Sequence, residues 1–457
     1  MPASQYTRTL AKYIAHLKYS DLPNNVVAVS KRRILDTVGV ALRGSDTLAG
    51  RTVGTYVRSL KGKREATLIG YGTRVSCQNA TWANTVMARS VELDDIHWHS
   101  HPGAATIPAA IAVCETIGAS GKDLITAIVA GYEGMSRIAE TFIFQAFEKG
   151  IDFHLGSAAF GSALATTKAL NFEERETAST IGMGLLPLFP WRATQKYITS
   201  AQIAFGWSSM AGVVSAFLVR EGIPGVETIF DGAAGYDRAL ADKYDPEMLI
   251  EGLGKKYNIL ETYMKRHPSC SLTHGMIDAV LDILSEHRLT PKDIERVDVR
   301  TAPIVYDTCN RPVFEDVFST YFSLQFLAAL TIVEKRVLDM EDFTQEKIAD
   351  PEIANLAKKV HASVSPELTA AYNQGISTAP TDVEIRTANG KVYTRRRLAP
   401  KGWPPEGATD EDVNTKFERM ASKCVSKANM KKISETVKKL ERLDNVSDLV
   451  KLLVAPN

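Results

Sequence analysis

Gly156-Ser-Ala-Ala-Phe-Gly-Ser-Ala-Leu-Ala165 contains no charge and only two large side chains. A helix that is small or apolar on most of its faces is buried between other helices. Its neighbours carry the same message. Ile107–Ile117, Leu124–Ala139 and Ser208–Arg220 read as apolar helices, punctuated by Gly118-Ala-Ser-Gly121 and Gly222-Ile-Pro-Gly225. Upstream, Val26–Val38 has helical apolar spacing, and Ser76 or Asn79 can cap a helix over Ala80–Leu93. Residues 1 to about 260 therefore predict a compact, almost wholly helical bundle.

The pattern changes near Lys265. Arg296-Val-Asp-Val-Arg-Thr301 alternates as a half-buried strand does. Val383–Thr394 contains Asn389-Gly390, the signature of a type I′ hairpin. Pro400-Lys-Gly-Trp-Pro-Pro-Glu-Gly407 reads as a linker, and helical periodicity resumes at Asp410–Met420. The expected fold is mainly α: a large all-helical domain (1–265) completed by C-terminal helices (404–457), with a smaller α+β domain (266–403) inserted.

With 457 residues, several folding units are expected. A net charge of +1 offers no global attraction to nucleic acid or anionic membrane. No apolar run reads as a membrane span, and the first residues lack the apolar core of a signal peptide. The five cysteines are dispersed without a Cys-x-x-Cys pair, which argues against zinc knuckles and iron–sulfur ligation and fits a reducing, cytoplasmic compartment.

Titratable chemistry concentrates in Glu92-Leu-Asp-Asp-Ile-His-Trp-His-Ser-His-Pro-Gly103. Imidazoles change charge near neutral pH and carboxylates orient them, so the segment reads as an acid–base wall with Pro102-Gly103 as a closing turn. Asp94 or Asp95 would orient an imidazole. The His97-x-His99-x-His101 spacing also admits zinc, and a solvated structural turn is the plain alternative. His154 precedes the small-residue helix, where free N–H groups can seat a carboxylate, or where it serves as a cap. Lys196 follows an apolar stretch, which suits anion binding or proton transfer. Lys265-Arg-His-Pro-Ser-Cys270 and His274 fall at the predicted domain junction. There Arg266 can clamp a carboxylate, and His267, Cys270 or His274 can face a cleft. Gly232-Ala-Ala-Gly235 and Gly156–Gly161 match no nucleotide-binding loop.

Several segments in this order resemble the MmgE/PrpD family. They are Arg33-Ile-Leu-Asp-Thr-Val-Gly39, Leu93-Asp-Asp-Ile-His97 with His101-Pro-Gly-Ala104, Gly121-Lys-Asp-Leu124 with Gly131-Tyr-Glu133, and Phe153-His154 with Gly161-Ser-Ala163. Lys196, Gly232-Ala-Ala-Gly-Tyr236, Lys265–Cys270 with His274, and Phe322-Ser-Leu-Gln-Phe326 complete the set. The resemblance implies a helical domain, an α+β lid over a cleft, a homodimer, and no metal or organic cofactor. It implies proton transfer beside a carboxylate of a small di- or tricarboxylate. Glu92, His101, His154 and Lys196 match cleft positions of the decarboxylase branch. Cys270 and Phe326, however, stand where that branch has a histidine and a tyrosine, and the Glu92–His101 spacing is one residue shorter. These departures turn the expectation towards a 2-methylcitrate dehydratase-like hydro-lyase, with an epimerase or decarboxylase next and a non-catalytic scaffold last. In that reading His101 and His154 exchange protons, Lys196 and Arg266 hold substrate carboxylates, and Glu92, His97, Cys270 and His274 line the site.

Overall fold

The computed structural model describes residues 5–98, 100–184, 198–231, 235 and 244–454. It divides into two compact units, Met1–Met264 with Gly407–Asn457, and Lys265–Glu406.

The first unit is a helical bundle formed by α1 (Tyr6–His16), α2 (Asn24–Gly44), α3 (Leu48–Ser59), α4 (Cys77–Arg89), α5 (Pro102–Ile117), α6 (Gly121–Glu148), α7 (Phe153–Ala169), α8 (Glu174–Met183) and α9 (Ile198–Arg220). The small-residue helix α7 packs against α5, α6 and α9 and is buried along almost its whole length. Its composition is what permits this: a methyl group at Gly131 on α6 would stand 2.5 Å from the Gly161 carbonyl oxygen of α7. The backbones approach too closely for a Cβ there. The helix Asp410–Ala421 packs on α2, burying Val413, Phe417 and Met420. The C-terminal residues thus share the core of the N-terminal ones.

The helical unit also holds a short antiparallel ladder, β1 (Ala66–Thr67) with β2 (Arg74–Val75), beside its helices. Contrary to the expectation of no apolar run of membrane length, the helix Thr199–Arg220 within α9 has the length and hydropathy of a membrane span, and 56% of its most apolar 18-residue stretch is buried inside the protein.

The second unit carries a four-stranded sheet in the order β4-β3-β5-β6, from β3 (Ile294–Thr301), β4 (Val360–Val364), β5 (Thr381–Thr387) and β6 (Val392–Arg397). β3 pairs parallel with β4 and antiparallel with β5, while β5 and β6 form the hairpin. Val297 and Val299 on β3 and Val383 and Ile385 on β5 point into a core shared with the helices His274–His287 and Leu324–Glu334, as period-2 alternation requires. The hairpin exists, but its turn is not type I′. Only Gly390 (φ 82°) is left-handed, Asn389 is not, and Thr387 N–H donates to the Lys391 carbonyl. That is a three-residue loop with glycine at its bulge position.

Candidate active site

The acidic–histidine segment is the connection between α4 and α5. Pro102-Gly103 is not a turn that follows it: Pro102 is the first residue of α5, with His101 as its N-cap. Proline tolerates that place because the first helical N–H has no partner to lose. His154 likewise lies inside the first turn of α7, which begins at Phe153. Two helix starts therefore deliver two imidazoles to one place, with ring centroids 5.8 Å apart. The edge of Phe205 on α9 closes beside His101, and Phe147 on α6 beside His154.

Of the two aspartates, Asp94 is the one that touches an imidazole: its Oδ2 lies 2.8 Å from His101 Nδ1. Its other oxygen accepts from Arg89 Nη1 at 3.2 Å. Arg89, at the end of α4, also pairs with Glu92. Arg89 is only partly exposed, and against the downward pull of burial Asp94 and Glu92 raise its pKa. Glu92 adopts φ 52°, an uncommon conformation for a residue with a Cβ, at a tight bend stabilised by its surroundings. A carboxylate this close to Nδ1 favours the ring proton on that nitrogen.

Asp95 serves the scaffold instead. Its Oδ1 accepts the Gly103 N–H at 2.8 Å and its Oδ2 the Tyr132 hydroxyl at 2.7 Å, with Arg33 Nε 3.7 Å away. Arg33 also donates to Thr262 Oγ1 and to its carbonyl. His97 is likewise turned to other company. It is fully buried between Glu140 (3.7 Å) and Glu261 (3.8 Å), bordering a cavity of about 200 Å³ with Trp98, Ile143 and Met248. Two carboxylates already face its ring, which makes it a poor seat for a third on a substrate.

In the second unit, Arg266 pairs with Asp278 (3.6 Å), and the same oxygen stands 3.4 Å from His267 Nε2. His267 Nδ1 accepts the Leu338 N–H, so this imidazole is occupied at both nitrogens. Against the upward push of burial, His267, the Lys401 N–H and Arg266 hold Asp278 down to about 2. His274 is buried beside His267, and burial with that neighbour pushes it well below the ordinary imidazole range. Cys270 is half-buried, whereas Phe326 is enclosed in the apolar core with Phe314 and Phe343. Lys196, His99 and residues 232–234 lie outside the described residues. Among the described residues, no group of three His, Cys, Asp or Glu side chains is placed to hold a metal ion.

Sequence reasoning did not single out Arg89, Tyr132 or the buried pair Glu133–Arg137 (3.2 Å) as parts of this network. Arg33, Tyr132 and Glu133 did fall within quoted segments, yet nothing in their spacing tells which partner each would meet. Burial pushes Asp95 up to about 6 despite Arg33, and Glu133 up to about 7 despite Arg137. Unfolded, both carboxyls return to ordinary values near 4. The folded chain therefore binds more protons than the unfolded one between pH ~4 and ~7, and stability falls as pH rises through that window. Asp278 acts oppositely below pH ~4, and His274, which the fold keeps from protonating, acts oppositely below pH ~6.5. Denaturation midpoints should fall from pH ~6.5 to pH ~7.5, and Asp95→Asn with Glu133→Gln should flatten the decline. A midpoint that rises across that range would contradict the assignment.

A helical scaffold that brings Asp94, His101 and His154 together, joined in sequence to a small α+β unit, defines a class of protein. Comparison with known families places the class. The MmgE/PrpD N-terminal domain profile matches residues 8–249 and the C-terminal domain profile residues 267–442. The chain belongs to the MmgE/PrpD family. The C-terminal profile runs past the α+β unit into helices that pack with the first unit. Among curated proteins, the human cis-aconitate decarboxylase is 26% identical across all of this chain and 96% of its own length. The Aspergillus terreus cis-aconitate decarboxylase is 23% identical over 99% of this chain and 96% of its own.

Proposed function

We propose that this protein is a lyase that moves a proton beside a carboxylate of a small di- or tricarboxylic acid, with dehydration of a 2-methylcitrate-like hydroxy acid as the first reading. The observation that carries it is the Asp94–His101–His154 arrangement. In this reading the Asp94 carboxylate, 2.8 Å from Nδ1, keeps the ring proton on that nitrogen, and His101 Nε2 takes a proton from the carbon next to a carboxylate. The C–H electron pair becomes the new C=C bond as the C–O bond breaks. His154, as imidazolium, gives its proton to the departing hydroxyl, which leaves as water. Negative charge built up beside the carboxylate needs cations in a desolvated setting, a role this reading gives to Lys196 by resemblance.

Whole-length similarity to cis-aconitate decarboxylases favours a second reading. There the carbon–carboxylate bond breaks, its electrons remain on carbon, and an imidazolium supplies the proton. The absence of an imidazole at Cys270 supports the first reading over the second.

Incubation with citrate, 2-methylcitrate, cis-aconitate and related acids in heavy water, followed by proton NMR, separates them. A hydro-lyase gives an alkene, and the hydroxy acid re-formed at equilibrium carries deuterium at the carbon beside a carboxylate. A decarboxylase gives carbon dioxide and a deuterated shortened acid. No exchange and no product with any member of the panel would remove both.

A further inference from the structure

We propose that Lys416, brought in by the helix Asp410–Ala421, is a positioning residue for the Asp94–His101 pair: clamped by Asp36, its ammonium fixes the Leu93 carbonyl and with it the carboxylate that orients the imidazole. This rests on the proton-transfer reading above.

Lys416 Nζ lies 2.7 Å from Asp36 Oδ1 and donates to the Leu93 carbonyl oxygen at 2.6 Å. Lys416 and Asp36 are both buried. Arg33 and Asp94 bear on Asp36, and Arg33 and Arg419 on Lys416, so the surroundings are charged on several sides. Burial pushes the ammonium down and the Asp36 carboxyl up, and each partner opposes the other's shift. A buried ion pair of this kind contributes little net stability compared with well-packed apolar side chains. Stability is therefore a weak reason for it to be there, and geometry is a better one.

The α4–α5 connection has no ladder of its own and is held at separate points. Ile96 exchanges backbone hydrogen bonds with Tyr263, and His97 with Ser100. Those ties lie after Asp94. Before it, Leu93 follows the left-handed Glu92, and its carbonyl is held by an ammonium from more than three hundred residues later. With that ammonium removed, a buried carbonyl loses its donor and the peptide preceding Asp94 can rotate. A displacement of about 1 Å in an orienting group can lower a rate by about a hundredfold.

The test uses the full chain as Lys416→Met, Lys416→Arg and the double variant Asp36→Leu/Lys416→Met, with ring-15N NMR of His101 and steady-state kinetics on whichever acid turns over. Lys416→Met alone strands Asp36 and lowers the melting temperature, and the double variant recovers it. In that recovered protein kcat stays about 10–100-fold down while KM changes by less than about threefold. The His101 Nδ1 resonance moves, and Lys416→Arg restores part of both. If activity returns together with the melting temperature in the double variant, and the His101 resonance is that of the wild type, Lys416 merely neutralises Asp36 and the proposal fails. If the wild-type chain turns over no acid, the functional reading fails instead, and the His101 resonance still decides the role of Lys416.

Discussion

Asp94→Asn is expected to lower kcat about a thousandfold, within the range of about 10²–10⁴ that a positioned acid–base group contributes, while the fold and KM hold. The reason lies in which oxygen is already taken. Arg89 Nη1 donates to Asp94 Oδ1, so an asparagine must place its carbonyl oxygen there. Its amide nitrogen then faces His101 Nδ1, 2.8 Å away in the native pair. An amide donor demands a lone pair on Nδ1, which moves the ring proton to Nε2. The imidazole is still present and still in place, but its working nitrogen is no longer a base. His101→Gln should show a similar loss, and the two changes together no more than either alone, because residues acting as one unit are not additive. Unchanged kcat in Asp94→Asn, with circular dichroism matching the wild type, would falsify this tautomer assignment.

How far the sequence discloses this arrangement differs by level. The bundle is legible at Gly156–Ala165, because a run of small residues has one stable home, between other helices. The strands Ile294–Thr301 and Thr381–Thr387 are legible from alternation. Helix starts are harder. Pro-Gly suits both a turn and the first turn of a helix, and at Pro102 the second applies because Asp95 supplies an acceptor for the Gly103 N–H. Pro108 inside α5 hides that helix's continuity further. The site's residue types were visible, but their pairing was not. Asp94 and Asp95 are adjacent, and their spacing does not tell which of them faces His101. Lys416 carries no local signal at all. A lysine on an amphipathic helix reads as solvated, and its partner Asp36 lies on the opposite end of the chain.

Gly103→Ala carries the largest expected stability effect, and its sign runs against helix propensity. In an open helix position, alanine stabilises relative to glycine by about 1 kcal/mol. Here the added methyl would stand 2.4 Å from Asp95 Oδ1, 2.9 Å from Asp95 Cγ and 2.7 Å from the Tyr132 hydroxyl. None of these can yield cheaply. Asp95 is buried, accepts from Gly103 and Tyr132 and lies 3.7 Å from Arg33 Nε, so displacing it weakens charge-assisted bonds of about 1.5–3 kcal/mol each. Overpacking adds about 1–3 kcal/mol. Contact therefore outweighs propensity, and a net loss of about 2–4 kcal/mol is expected from chemical denaturation. Activity should fall as well, because the displaced helix start carries His101 as its N-cap. The double variant Asp95→Ala/Gly103→Ala tests the cause. With the carboxylate gone the methyl has room, so alanine at 103 should cost little in that background, leaving a coupling of about 1–3 kcal/mol between the two sites. Should Gly103→Ala raise the denaturation midpoint, or cost as much without Asp95 as with it, the close approach of this carboxylate to the start of α5 is not what requires glycine there.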